Sequence, residues 1–306
     1  MKKLSLIFTI FILFASISVF AKTEPTPLPQ RISELFHYRS SIVSYLGPEG
    51  TYTQEACEKF FGKGCIFKPF KTVNDAVKSL NEKNSNYAVI PQENTIGGAV
   101  IDYIDTLITQ TNVSVVGEVE LPINQNLLAL KEAKLSDIKK VYSHKQGIAQ
   151  GKDWIKENLP DAEVIEVSST AAGAKMVSES KDISCAAIAS VGSSKVYKLK
   201  ILARNIQNND NNKTRFYILS LREPSLIKSD RLAFIATGPA EYLPKLMKRM
   251  EEQKMKLIAI HDRPQKTVLG QYHYLIECSD SDYDSYKKLI DNSPFKFRYL
   301  GSFEVK

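Results

Sequence analysis

Residues 41–70 read SIVSYLGPEGTYTQEACEKFFGKGCIFKPF. The apolar run 41–46 predicts a buried strand, GPEGT a glycine turn and Tyr52–Phe61 a helix that Gly62 and Gly64 end. CIFKPF predicts the next strand. Strand, glycine turn and helix together offer backbone N–H groups to an anion. The same alternation continues outward. Val73, Ala76, Val77 and Leu80 follow helical spacing, YAVIP at 87–91 is a buried strand leading into QENTIGGAV, and Val100, Ile101, Ile104, Leu107 and Ile108 mark another helix. VSVVGEVEL and NQNLLAL predict strands, as do KKVYS at 139–143, AEVIEV, CAAIAS and KTRFYILS. Helices are expected around Trp154 and Ile155, over SSTAAGAKMV with a Ser or Thr cap, and around Val191 to Tyr197. Such alternation predicts an α/β fold, and the crossing strands near 114–130 imply two lobes with a cleft between them. Residues 222–230 read as a linker. Beyond it the order becomes strand 231–237, helix 241–254, strands 256–262 and 269–278, helix 281–292 and strand 295–303. That βαββαβ order is the ferredoxin-like arrangement and predicts a separate domain over 231–306.

Composition agrees with a globular chain. The 306 residues are 43% hydrophobic and 25% charged. Lys+Arg 41 against Asp+Glu 34 gives +7 with no long basic block, which fits a small anionic ligand or simple solubility and gives no reason to expect nucleic acid. The four Cys form no CxxC pair and the four His are dispersed, so no metal site is readable.

The first 21 residues read as a secretory signal. Lys2 and Lys3 precede the uncharged apolar run Leu4–Phe20, and Val19-Phe20-Ala21 offers a cleavage site after Ala21. An uncleaved anchor is the alternative, because the run approaches the shortest membrane span. Cleavage leaves no stable membrane association and implies a periplasmic or secreted protein. It removes two lysines and lowers the charge from +7 to +5. Residues 22–40 hold Pro25, Pro27 and Pro29 and read as a stiff linker.

Polar clusters sit where strands run out: Gly47 to Thr51, Glu93-Asn94-Thr95, Ser143-His144 with Gln146, Ser168-Ser169-Thr170, and Asn212-Lys213-Thr214-Arg215-Phe216. Ligands of open α/β sheets lie beyond the carboxyl ends of the strands. Converged, these residues would form a hydroxyl- and amide-rich site for a small polyanion, with Arg215 able to grip a carboxylate bidentately. Singly, each has an ordinary explanation: a turn, a capping carboxylate, a structural His, a helix cap. Arg215 in an otherwise apolar strand is hardest to explain so, because a buried charge needs a partner. No Walker loop, GxGxxG or Ser-His-Asp order is present.

In this order and spacing the clusters resemble the prephenate dehydratase family. The matching stretches are YLGPEGTYTQEA (45–56), AVIPQENTIGGAV (88–100), VYSHKQGIAQ (141–150), VSSTAAGA (167–174), AAIAS (186–190) and NNKTRF (211–216). The resemblance implies a two-lobed catalytic domain over 41–221, like periplasmic solute-binding proteins, followed by an ACT regulatory domain over 231–306. It implies removal of carbon dioxide and water from prephenate to give phenylpyruvate, with neither cofactor nor metal, and a homo-oligomer, a dimer through ACT domains. Thr214 takes the family's essential threonine position, and Arg215 becomes a carboxylate clamp or a support beside it. Glu93 becomes an acid partner or the residue that orients Asn94. Thr51, Asn94, Thr95, Ser143, Gln146, Ser169, Thr170 and Phe216 would line the cleft. Thr95 replaces the usual Ser, and Lys145 and Gly147 replace a Pro and an Ala. Alternatives on the same fold are an arogenate dehydratase and an exported small-anion-binding protein without catalysis.

The family's phenylalanine site uses a Gly-Ala-Leu turn and a Glu-Ser-Arg-Pro segment. Here they read Ala240-Glu241-Tyr242 and His261-Asp262-Arg263-Pro264. The lost glycine and the bulky Tyr242 imply a degenerate site that keeps only Arg263 and Pro264. Export would permit a Cys57–Cys65 bridge. A buried thiol at Cys57 is the alternative, and Cys185 and Cys278 are expected as free buried thiols.

Overall fold

The computed structural model describes Tyr38 and residues 40–306. The signal reading over residues 1–21 lies outside the described residues, as does the linker reading except at Tyr38 and Ser40.

The first lobe begins with β1 (Ile42–Leu46), α1 (Tyr52–Phe61), β2 (Ile66–Phe70), α2 (Val73–Asn81), β3 (Tyr87–Asn94), β4 (Gly98–Ala99), α3 (Ile101–Thr109) and β5 (Ser114–Pro122). The chain then crosses to the second lobe: β6 (Asn126–Ala129), β7 (Lys140–Ser143), α4 (Lys145–Asn158), β8 (Glu163–Glu166), α5 (Thr170–Ser180), β9 (Cys185–Ala189), α6 (Val191–Val196) and β10 (Lys200–Ala203). It returns as β11 (Lys213–Ser220). The first sheet has the order β2-β1-β3-β11-β5, with β4 beside β3. β1 is parallel to β2 and β3, and the returning β11 runs antiparallel to β3 and β5. The second sheet has the order β10-β6-β9-β7-β8. Both are mixed sheets, and the two crossings near residues 123–125 and 204–212 leave a cleft between the lobes.

Local chemistry sets the elements. Thr72 accepts from Asp75 N at 3.0 Å and caps α2, Ser169 accepts from Ala172 N at 3.0 Å and caps α5, and Gly62 at φ 69° ends α1. Gly50, at φ +81°, turns the GPEGT loop toward the second lobe. Its carbonyl accepts from Ser190 Oγ at 3.1 Å and Ser193 Oγ at 2.7 Å, and a Cβ there would lie 3.0 Å from the Ser193 Cα.

The remaining elements are β12 (Arg231–Pro239), α7 (Leu243–Glu252), β13 (Lys256–Pro264), β14 (Gln271–Ser279), α8 (Tyr283–Ile290) and β15 (Lys296–Phe303). They form an antiparallel sheet of order β13-β14-β12-β15. The helix expected from 241 starts two residues later. A 3₁₀ turn over Ala240–Tyr242 precedes it, and Pro244 sits in the first turn, where its missing N–H costs no hydrogen bond. Leu246, Met250 and Leu289 pack under this sheet against Phe234 and Ile276.

This C-terminal sheet shares a core with the first lobe. One apolar cluster runs from Ile90, Tyr103 and Val115 through Tyr217 to Ile235, Leu275 and Phe303. The chain end also extends the first sheet. Glu118 N donates to Glu304 O at 3.0 Å, Lys306 N donates to Glu118 O at 2.9 Å, and Glu120 N donates to Lys306 O at 3.1 Å. The outer edge of β5 is thereby covered. Gly301, at φ +141°, permits the approach, since a Cβ there would sit 2.5 Å from the Val115 carbonyl oxygen. Residues from 40 onward pack as one compact unit. Cys57 and Cys65 are not bridged to each other, and Cys57, Cys185 and Cys278 are buried thiols.

Candidate active site

A cavity of ≈ 260 Å³ lies between the lobes. Four helices begin at its wall, through Thr51 ahead of α1, Val100 ahead of α3, His144 ahead of α4 and Ser169 ahead of α5. Neither Thr51 nor Val100 caps its helix with a side chain, so first-turn N–H groups of α1 and α3 are left for a ligand. Among the described residues, no Asp, Glu, Lys or Arg lines this cavity. Helix N-termini and amide donors face it instead, an arrangement suited to an anion.

Asn94 and Thr214 are the chemical centre. They face each other across the β3–β11 ladder. Asn94 Oδ1 accepts from Gly97 N at 2.8 Å and Ile96 N at 3.1 Å. With the oxygen taken by two backbone donors, the amide nitrogen must face the other way. Asn94 Nδ2 donates to Thr214 Oγ1 at 2.9 Å and to Asn212 Oδ1 at 2.7 Å. The Thr214 oxygen is therefore an acceptor for Asn94, and its own hydrogen is free to donate into the cavity.

The second lobe supplies the opposite wall. His144 Nδ1 accepts from Gln146 N at 3.3 Å, which leaves the ring hydrogen on Nε2. Gln146 reaches across the cleft to Gly97, where a Cβ would stand 2.2 Å from Gln146 Nε2. Gly97 thus gives Gln146 its place. Thr170 and Ser169 line the wall beside them, and Phe216, 1% exposed, forms an apolar floor.

Of the residues read from the sequence, the structure brings Thr51, Asn94, Gln146, Ser169, Thr170, Thr214 and Phe216 to this cavity. Thr95 and Ser143 lie outside its lining. Thr95 Oγ1 donates to Asn211 O at 3.1 Å and accepts from Lys213 N at 3.0 Å, pinning the loop before Thr214. Ser143 is buried beneath α4 and donates to Ile188 O at 2.8 Å.

As ligand-touching groups, Arg215 and Glu93 require a correction, and of the two readings of Arg215 the support beside Thr214 is the one the geometry fits. Neighbours along a strand point to opposite faces. With Thr214 and Asn94 turned to the cleft, Arg215 and Glu93 face the other side of the sheet. Arg215 donates from Nε to Glu118 Oε1 at 2.8 Å, from Nη2 to Glu118 Oε2 at 2.9 Å, and from Nη1 to Glu93 Oε2 at 3.2 Å, and it also pairs with Glu277. Burial opposes its charge, but the hydrogen bonds to Glu118 and the charge of Glu277 outweigh that and hold the guanidinium above its ordinary pKa. Neither residue is placed to touch a ligand in the cavity.

Tyr52, Gln125 and Gln150 are cavity residues that the sequence reading did not single out. Tyr52 Oη donates to Asn124 O at 2.7 Å, and Gln125 Nε2 donates to Gln150 Oε1 at 2.7 Å. The signal for Tyr52 was its position one residue after the glycine turn. Gln125 had none beyond lying at the lobe crossing.

Comparison with known proteins identifies a family. The family model for prephenate dehydratase matches residues 43–224. The bifunctional chorismate mutase/prephenate dehydratase of Neisseria gonorrhoeae is 35% identical over 241 residues, 78% of this chain and 66% of that protein. This chain therefore spans just under two thirds of that relative's length. The prephenate dehydratase of Lactococcus lactis is 32% identical over 275 residues, 86% of this chain and 97% of that protein. A crystal structure of the Arthrobacter aurescens prephenate dehydratase in complex with L-Phe superposes with a TM-score of 0.77 at 28% identity, covering 86% of this chain and 90% of that one. The chain belongs to the prephenate dehydratase family.

Proposed function

We propose that this protein converts prephenate to phenylpyruvate by coupled loss of carbon dioxide and water, in an exported form. The observation that carries the reading is the Asn94–Thr214 pair at 2.9 Å in an anion-binding cleft. In the reaction the bond from ring to carboxylate breaks and releases carbon dioxide. Its electron pair completes the aromatic ring and the ring hydroxyl departs. Thr214, oriented by Asn94, donates a hydrogen bond to that oxygen as it departs as hydroxide, which takes a proton from solvent to become water. Helix N-termini hold the two carboxylates without a cationic side chain. Among the described residues no acidic group lines the cavity, which favours the dianion prephenate over arogenate, whose ammonium group would lack a partner there. Purified protein lacking residues 1–21 is incubated with prephenate, then with arogenate, and the aromatic product is followed by absorbance. Phenylpyruvate formed only from prephenate is the expected result. No product from either substrate overturns the assignment.

The βαββαβ order and strand order β13-β14-β12-β15 support reading the C-terminal unit as a ferredoxin-like ACT domain and a dimerisation surface. Export rests on Met1 to Ala21. The Arthrobacter relative holds L-Phe. Here Tyr242 projects to solvent beside Glu241, and Arg263 is committed to Asp105 of α3, donating from Nε at 2.6 Å and Nη2 at 2.9 Å. Phenylalanine at millimolar concentration is expected to leave turnover unchanged. Saturable inhibition in a titration would show that the pocket has been rebuilt.

A further inference from the structure

The ladder between β3 and β11 is irregular just before the reacting pair. Asn94 pairs with Thr214 and Glu93 with Arg215, but Phe216 pairs with Pro91, so Gln92 is an extra residue in β3. Such a bulge re-aims the side chains that follow it. Here those are Glu93 and Asn94.

The bulge is held from behind by the C-terminal sheet. Glu277 of β14, 1% exposed, accepts from Gln92 Nε2 at 2.8 Å and from Tyr217 Oη at 2.5 Å. Its other oxygen takes Arg215 Nη2. One carboxylate thus grips the bulged residue on β3 and two residues of β11 that flank the register shift. Arg215 in turn ties Glu93 of β3 to Glu118 of β5. Behind the cleft, three strands of the first lobe are fastened to one residue of another sheet.

We propose that Glu277 is a positioning residue for the Asn94–Thr214 pair, so that the C-terminal unit completes the catalytic cleft. It acts through Gln92 and Arg215 and touches no ligand. The kinetic consequence rests on the proposed function. The structural consequence does not.

The test is made on the full mature chain with Glu277→Gln, which keeps size and removes charge. Nuclear magnetic resonance of the unliganded protein reads the Asn94 side-chain amide, assigned by its loss in Asn94→Asp. Glu277→Gln is expected to shift that amide pair and to speed its hydrogen exchange about tenfold or more. The Asn126 amide, held in the second lobe by Ala189 O, serves as control and stays put. In turnover, kcat falls about tenfold with KM within twofold, in line with the cost of small misplacements remote from the chemistry. Glu277→Asp recovers most of the loss. If Glu277→Gln does not fold, Gln92→Met, which cuts the link to the bulge and keeps the charges, is read in the same way. An unchanged Asn94 amide in either folded variant overturns the proposal. A shifted amide in a protein whose wild type does not consume prephenate overturns the functional reading and leaves the positioning role standing.

Discussion

Thr214→Ala is expected to lower the turnover of prephenate about a hundredfold or more. Thr214 is 9% exposed, and its hydroxyl takes the Asn94 amide at 2.9 Å, leaving a single hydrogen to donate into the cavity. Loss of one donor aimed at charge developing in a transition state costs roughly 3 kcal/mol. The hydroxyl departs as a stronger acceptor than it is in bound substrate, so the loss falls on kcat while KM changes little. Thr214→Ser keeps the donor and is expected to retain most activity. Stability should hardly move, because the lost methyl and hydroxyl face the cavity. Steady-state kinetics beside a thermal melt checks both points. A folded Thr214→Ala protein with wild-type turnover would remove Thr214 from the mechanism.

Much of the cleft was legible because its residues end strands or begin helices. Ser169 before an Ala-rich helix and Asn94 at the end of an apolar strand are placed by local rules, and the structure puts both at the cavity. Strand alternation also contained the answer for Arg215. If Thr214 faces the ligand, its neighbour in an extended strand does not. The resemblance left Arg215 as a carboxylate clamp or a support beside Thr214, and period two decides for the support. The partners of Arg215 could not be read. Glu118 and Glu277 are separated from it by 97 and 62 positions, and no local pattern links them. The strand β10, half-buried at a sheet edge, carries no alternation strong enough to announce itself. Pairing of residues 304–306 with β5 depends on tertiary geometry that only Gly301 hints at.

Arg215→Met is expected to destabilise the fold by about 3–5 kcal/mol, the cost of breaking a buried ion pair from one side. Glu118 is fully buried and Glu277 is 1% exposed, and Arg215 is the cation that bonds both. Arg231 stays within 3.3 Å of Glu277, so the loss centres on Glu118. Burial raises the Glu118 carboxyl above its ordinary pKa, and hydrogen bonds from Arg215 pull it back in part. Without Arg215 the folded-state value rises further. A carboxyl raised in the folded state contributes stability that is fully present below its unfolded value and lost as pH rises through the folded one. The deficit of Arg215→Met is therefore largest near neutral pH and shrinks as pH falls toward the ordinary carboxylate range. Adding Glu118→Gln should recover part of the loss at neutral pH, because it removes the unpaired charge. Urea unfolding of the three proteins at several pH values measures this. A deficit that does not vary with pH would mean that Arg215 stabilises through its packing and not as the counter-ion of the buried carboxylates.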